Sequence, residues 1–378
     1  MSALRLRGFL GRSLAMTLKE FLQLRRDRVT FAMMIAIPLL QLLLFGYAIN
    51  TNPRHLPTVV LLREESDVGR ALLAALDNTG YLDFVARVSS DAAFDAALAS
   101  GRALIGIEIP AGFAQDLRRG LRPALLIAAD ATDPVATGSA LQAIQGAAAG
   151  AFRHLRGLPP SGPGALFEVV SHARYNPAAV TQLNVVPGLL GTILTMTLLI
   201  FTALSVTRER ERGTMEALLA MPIRPLEIMV GKILPYIAIG FVQALLIVAA
   251  GTLVFGVPVI GSLLLLAAFT TVFIAANLAI GYSFSTLAKN QLQAVQMSFM
   301  FFLPNILLSG FMFPFAGMPR WAQWIGEALP LTHYIRIVRG IMLKGSGWAE
   351  LQTDVLAMTA AMIVVMTVAV TRFRQTLD

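Results

Sequence analysis

The chain contains no cysteine and only four histidines, and each shortage excludes a class of function. Disulfides, thiolate metal sites and cysteine nucleophiles all need cysteine, so none of them is available. The histidines are His55, His154, His172 and His333, and they follow no ligand spacing. The sequence therefore predicts no metal site, and the absence of a paired acid and base predicts no catalytic residues.

A phosphate-binding loop is also missing. The pattern G-x-x-x-x-G-K-[ST], whose amides and lysine hold nucleotide phosphates, occurs nowhere in the 378 residues. The nearest stretch, GVPVIGS at 256–262, lacks the lysine. We therefore predict that the chain is not an enzyme and does not hydrolyse ATP by itself.

Charge is scarce, because 14% of the residues are charged, against about a quarter in soluble proteins, while 56% are hydrophobic. A membrane-spanning helix needs about 20 mostly apolar residues. Six stretches qualify, none with an internal charge, and they predict an α-helical polytopic membrane protein with six transmembrane helices. The stretches are 29–49, 184–207, 233–255, 259–287, 292–315 and 355–371.

Residues 50–183 differ in kind, because short apolar runs alternate with helical patterns. Strands are predicted at 58–62, 83–88, 103–109, 124–129 and 166–173. Helices are predicted at 67–78, 92–99, 113–119 and 135–155. This alternation indicates a large α/β domain between the first two spans.

The basic residues predict the orientation. Segments 1–28, 208–232 and 372–378, together with Lys289, carry all of the net charge of +8. The charges of 50–183 and 316–354 cancel. Because basic residues in short loops stay in the cytoplasm, both termini are predicted inside and 50–183 outside. The excess charge therefore indicates topology, not nucleic-acid binding.

The segment 208–232, RERERGTMEALLAMPIRPLEIMVGK, alternates in charge before a turn and a cap at Gly213 and Thr214. Pro222 and Pro225 would end the short helix that follows. By its residues alone, the segment is a rigid charged helix facing the cytoplasm or a solvated loop whose arginines hold lipid phosphates. The basic 1–28 is predicted to be an amphipathic helix in the interface plane or a topology-setting leader.

This segment resembles the coupling region of ABC-2-type permeases, roughly RERE-x-GT-x-E-x-LL-x-(T/S)-P followed by E and GK. The matching residues are Arg208, Glu209, Arg210, Glu211, Gly213, Thr214, Glu216, Leu218, Leu219, Pro222, Glu227, Gly231 and Lys232. Met221 departs from the usual Thr or Ser, which we expect to adjust docking. Stretches 19–48, 174–188 and 330–340 also resemble the family, most of all its YhhJ- and YbhS-like multidrug efflux permeases.

The resemblance implies a type V ABC exporter-like subunit of the bacterial cytoplasmic (inner) membrane. A separate ATPase subunit would bind ATP and Mg and push on the coupling helix, while this chain holds no cofactor. A second permease, either a copy or a paralogue, would complete a path lined by the second and fifth spans. The path residues are Asn184, Thr195, Met196, Met297, Phe301, Phe302, Asn305, Phe311 and Phe313. A stripe of Met and Phe in a membrane helix is, however, more often lipid-facing or part of the packed core.

The loop 316–354 is expected to form external re-entrant or amphipathic helices that cap the path. Its candidate gate residues are His333, Tyr334, Arg336 and Arg339. Arg336 and Arg339 share a helical face, where they would attract anionic cargo or bind outer-leaflet phosphates. The domain 50–183 would gate exit, receive a periplasmic adaptor or act as a structural lid.

The function predicted on these grounds is export of amphiphilic drugs or lipid-like compounds by alternating access. Two other classes compete with it. A membrane-anchored ligand sensor would need a cytoplasmic output domain, and none is recognisable in the sequence. An ion-coupled secondary transporter would need carboxylates inside its spans, and the predicted spans contain none.

Overall fold

The computed structural model describes residues 54–132, 134–148, 166–178, 180–211, 213 and 225–375. The predicted leader 1–28, the predicted first span 29–49 and the middle of the coupling segment, 214–224, lie outside the described residues.

The first described part is an α/β domain with one five-stranded sheet. Its strands are β1 (Leu56–Leu62), β2 (Leu82–Val88), β3 (Ile105–Ile109), β4 (Ala124–Asp130) and β5 (Glu168–Arg174). They lie in the order β2-β1-β3-β4-β5, and all neighbours are parallel except β3 and β4. The helices are α1 (Asp67–Asp77), α2 (Asp91–Ala99), α3 (Phe113–Arg118) and α4 (Pro134–Ala148). The predicted strands and helices of this segment are therefore present with small shifts at their ends, except that residues 149–155 of the last predicted helix lie outside the described residues.

The strand sequences explain their positions in the sheet. β1 is an almost continuous apolar run buried on both faces, as expected for a central strand with helices on both sides. α1, α3 and α4 cover one face of the sheet, and α2 covers the other. Gly106 of β3 allows α2 to pack closely on the sheet, because a Cβ at position 106 would lie 2.3 Å from the Phe94 ring of α2.

The second part is a bundle of long helices. They are α5 (Thr181–Glu211), α6 (Pro225–Leu253), α7 (Leu263–Leu287), α8 (Gln291–Leu308) and α11 (Trp348–Gln375). Four segments are long and apolar enough to cross a membrane, namely Thr181–Ser205, Pro235–Leu253, Leu263–Leu287 and Trp348–Ala369. Within the described residues, the chain is thus a helical membrane protein with four candidate spans.

α7 is the central helix of this bundle. It packs against α5, α6, α8 and α11, and its buried positions include Asn277 and Ser285. Both polar groups donate to backbone carbonyls of their own helix, which satisfies them away from water. In contrast, α6 and α11 bury only 17% of their apolar windows and present the rest outward.

Short helices close one end of the bundle. The chain forms a 3₁₀ turn (Phe315–Gly317), α9 (Arg320–Glu327), α10 (Pro330–Arg339) and a π-helical turn (Gly340–Lys344) before α11 begins. α10 is buried along nearly its whole length, against α5, α7 and α11. The predicted loop 316–354 therefore contains amphipathic helices.

Two predicted spans extend four or more residues beyond one end of the observed helix. The helix predicted at 292–315 ends at Leu308, because Gly310 adopts a left-handed φ of 79° and turns the chain. The helix predicted to begin at 259 begins at Leu263, where Ser262 caps it by accepting a hydrogen bond from the Leu265 amide (3.4 Å). The prolines Pro187, Pro235 and Pro304 all lie inside helices that continue through them.

Candidate translocation path and gate

The predicted path helices lie side by side, because α5 packs directly against α8. On α8, Phe301 contacts Phe284 of α7 edge-on, with ring centroids 5.7 Å apart. Met297 packs against a small cluster that contains Ala203 and Ala294. Met196 and Phe302 are half-buried, and Phe313 packs in a separate cluster beyond the end of α8.

Two of the three polar path residues are buried in this helix pair, and they are bonded differently. Thr195 is fully buried, and its hydroxyl donates to the Gly191 carbonyl of its own helix (2.8 Å). Asn305 is 1% exposed, and its Oδ1 has no hydrogen-bond partner among the described residues. A buried acceptor without a partner is costly, and Asn305 is the path residue that carries such an atom among the described residues.

The ring of Phe311 packs against α5 at Gly188. A Cβ at Gly188 would lie 2.0 Å from the Phe311 ring, so only glycine permits this approach. Gly191, one turn on, similarly admits Leu331 and Tyr334 of α10. The sequence Pro187-Gly188 therefore provides a flat helix surface on which an aromatic ring lies.

Replacement of this glycine is a direct test of the contact. We expect Gly188→Ala to displace the ring and lower the free energy of unfolding by about 1–3 kcal/mol, the usual cost of overpacking. Phe311→Leu in the same chain should recover most of that loss, because the smaller side chain makes room. Thermal unfolding of the four proteins of this cycle measures the coupling, and purely additive losses would contradict the contact.

Four charged or ionisable residues form an ion cluster that joins α9, α10 and α11: Glu327, His333, Arg336 and Asp354. His333 Nδ1 lies 2.8 Å from Asp354 Oδ1, and its Nε2 lies 2.8 Å from the Glu327 carbonyl oxygen. Arg336 donates to Glu327 Oε1 (2.7 Å) and to Asp354 Oδ1 (3.3 Å). Two predicted gate residues are therefore held by two carboxylates that the sequence did not single out.

The surroundings of His333 favour its protonated form. Burial lowers the pKa of His333, but its contacts with Asp354 and the Glu327 carbonyl outweigh burial, so the pKa is raised above its ordinary value. The nearby positive charge of Arg336 lowers the pKa of His333, but this effect is smaller than that of the hydrogen bonds. A protonated imidazole donates to both acceptors at once, which explains the direction of the shift.

This shift predicts a pH dependence. Because the pKa of His333 is higher in the folded state, its stabilising contribution is complete below about pH 6.5, the ordinary histidine pKa, and is lost as pH rises through the raised value. Wild type should therefore exceed His333→Gln in melting temperature in mild acid, and the difference should shrink in mild alkali. Scanning fluorimetry across this range measures it, and a constant difference would contradict it.

The other two predicted gate residues have different surroundings. Tyr334 is fully buried, stacks on Phe273 with centroids 3.9 Å apart and hydrogen-bonds Thr270 (2.8 Å). Arg339 donates to Asn184 Oδ1 of α5 and to the Gly310 carbonyl (3.4 Å). Arg339 therefore brings a predicted gate residue and a predicted path residue into contact.

A buried ion pair joins the α/β domain to the bundle. Lys344, in the π-helical turn, donates to Asp130 Oδ2 at the end of β4 (2.5 Å), and the two side chains are 9% and 1% exposed. Asp130 also accepts from the hydroxyl of Thr132 (2.8 Å). We call this contact the domain-bundle link. Sequence reasoning missed it, because 214 residues separate its partners.

At the other end of the bundle, the coupling segment begins at the end of α5. Glu211 accepts the backbone N–H of Gln291 at the start of α8 (2.7 Å) and also its side-chain amide. These hydrogen bonds lower the pKa of Glu211 and keep it ionised. Arg208 and Gly213 are exposed.

The remaining predicted coupling residues have no described side chains. Glu209, Arg210 and Glu227 lie in described helices, but their side chains lie outside what the structure describes. Thr214, Glu216, Leu218, Leu219 and Pro222 lie outside the described residues altogether. Their roles stay predictions.

A bundle of long apolar helices beside an α/β domain, with charges gathered at the helix ends, defines the chain as a polytopic membrane protein. Residues 28–371 match the family model described as "ABC-2 family transporter protein". The chain belongs to this family, which confirms the resemblance inferred from its motifs.

Three relatives from Escherichia coli K12 are similar over most of their lengths. The "Probable multidrug ABC transporter permease YbhS" is 30% identical, over 92% of this chain and 93% of its own. The "Probable multidrug ABC transporter permease YbhR" is 28% identical, over 86% and 88%. The "Inner membrane transport permease YhhJ" is 30% identical, over 75% and 76%.

Proposed function

We propose that this chain is the permease subunit of an ATP-binding-cassette exporter that moves amphiphilic drugs or lipid-like compounds out of the cytoplasm or inner leaflet. A separate ATPase subunit binds ATP and Mg and drives alternating access. A second permease, a copy or a paralogue, completes the path. The chain has six spans in the inner membrane, both termini are cytoplasmic, and the α/β domain is extracytoplasmic.

One observation carries the mechanism. Glu211, at the start of the coupling segment, bonds twice to Gln291 at the start of α8. Residues 208–211 of the same segment form the last turn of α5. A push on the coupling segment therefore acts on both predicted path helices at once, and it can change their separation.

The names of the relatives support the assignment to multidrug transport, since two are described as multidrug ABC transporter permeases. The full sequence has no phosphate-binding loop, which supports an ATPase on another chain. The α/β domain would gate exit or receive a periplasmic adaptor.

Reconstitution tests the proposal. Liposomes that contain this chain and its ATPase subunit should export a fluorescent amphiphile when ATP is present, and liposomes with an ATPase that lacks its phosphate-loop lysine should not. Transport by this chain without any ATPase would overturn the proposal, because the driving force would then lie elsewhere.

A further inference from the structure

A cavity of about 730 Å³ lies between the α/β domain and the end of the bundle closed by α10 and α11. This volume falls within the range of small-molecule sites, about 300–1,000 Å³. The α/β domain contributes Arg102 and Leu104, and the bundle contributes Ile335, Arg336 and Leu351. The cavity is therefore lined by both apolar and charged side chains.

The charges of the lining favour an anion. Its basic residues are Arg102, Arg336, Arg339 and Lys344, and its acidic residues are Asp130, Glu350 and Asp354. All three carboxylates already accept hydrogen bonds from the protein: Asp130 from Lys344, Asp354 from Arg336, and Glu350 from the Gly347 amide. A cationic ligand would thus meet carboxylates that are already neutralised or bonded.

Arg102 provides the donors. It is exposed on the domain side of the cavity, and its only hydrogen bond among the described residues runs from Nε to Ser100 Oγ (3.1 Å). None of the ion pairs of the described residues includes it. The four remaining guanidinium N–H donors can therefore bind a planar or tetrahedral anion.

We propose that this cavity binds the anionic head group of an amphiphile, with Arg102 as its principal donor and the apolar wall of Leu104, Ile335 and Leu351 against the first part of the acyl chain. The inference rests on the proposed function and names its substrate class as phosphate- or carboxylate-headed amphiphiles. A head group bound here would hold the α/β domain against α10, because both walls contact the same ligand.

Because the chain has no cysteine, a single introduced thiol reports on the cavity. Ala349→Cys lies on the exposed lining, and Ala92→Cys on α2 is exposed outside it. Each variant of the full chain, in phosphatidylcholine nanodiscs, is treated with N-ethylmaleimide in the presence of lysophosphatidic acid, lysophosphatidylcholine or inorganic phosphate.

We expect lysophosphatidic acid to slow modification of Ala349→Cys but not of Ala92→Cys, with far weaker protection by the other two additives. Adding Arg102→Gln to the Ala349→Cys chain should raise the lysophosphatidic acid concentration needed for protection about tenfold. This is the scale of one charge-assisted hydrogen bond. Adding Arg119→Gln, an exposed arginine outside the lining, should leave it unchanged.

Equal protection by lysophosphatidylcholine, or no effect of Arg102→Gln, would overturn the anionic site. Equal protection by inorganic phosphate would overturn its amphiphile part. The reconstitution assay is independent of the protection measurements. Protection without ATP-driven export would support the anionic site and overturn the proposed function. Export without protection would support the proposed function and overturn the anionic site.

Discussion

Lys344→Met should lower the free energy of unfolding by about 3–5 kcal/mol, because it leaves the Asp130 carboxylate buried without its counterion. Asp130 is 1% exposed and lies where the sheet meets the π-helical turn. Without Lys344, the Asp130 carboxylate keeps two neutral donors, the hydroxyl and the backbone N–H of Thr132, which do not replace an ammonium group. Thermal unfolding of the purified full chain measures the loss.

Two companion variants separate the buried pair from surface electrostatics. Asp130→Asn added to Lys344→Met removes the stranded charge and should recover much of the stability. Arg118→Met breaks an ion pair with Asp67 (2.7 Å) whose side chains are about half exposed, so its cost should be far smaller than that of Lys344→Met. Equal losses in Lys344→Met and Arg118→Met would show that burial of the link has no energetic consequence.

Reversing the charge of the coupling segment should uncouple transport from ATP hydrolysis. Glu216→Arg and Arg210→Glu are each expected to reduce substrate-stimulated ATPase activity by about an order of magnitude or more, since a like charge at a docked interface costs several kcal/mol. Membrane insertion and yield should be unaffected. The measurement is ATPase activity of the reconstituted complex with and without transported amphiphile.

The matched control is Asp83→Arg, a charge reversal at an exposed position of β2 in the α/β domain. It should leave ATPase stimulation unchanged. Normal stimulation in the Glu216→Arg complex would count against docking of the segment, and the loop would then serve only to hold lipid phosphates.

Much of the α/β domain could be predicted from the sequence, because its elements are set by local patterns. The apolar run of β1 and the cap at Ser66, which accepts the Gly69 amide (3.0 Å), are visible within a few residues of each other. The strand order could not be read in the same way. The antiparallel placement of β4 beside β3 depends on how the helices pack, not on the alternation of either strand.

The end of α8 shows why apolar runs mislead about helix length. Residues 311–315 are again apolar, so hydropathy alone extends the span, but Gly310 takes a conformation that other residues avoid. Glycine was present in many predicted helices, so its identity did not reveal which one would turn the chain.

The sequence predicted which residues belong to the candidate site better than it predicted which partners they contact. His333 and Arg336 were found because the stretch 330–340 resembles the external helices of the family, and because Arg336 shares a helical face with Arg339. Their carboxylate partners are 6 to 21 positions away in sequence, and only packing of α9 and α11 around α10 brings them together. Contacts such as Arg339 with Asn184, across 155 positions, leave no local pattern at all.

The central place of α7 has a consequence for how the chain is made. This helix is synthesised before α10 and α11, yet Tyr334, the partner of the buried Thr270 hydroxyl, comes from α10. A nascent chain stopped after α8 would leave the Thr270 hydroxyl without Tyr334. We expect such truncated chains to be recognised by membrane quality-control proteases, so synthesis of the last 70 residues decides whether the earlier helices survive.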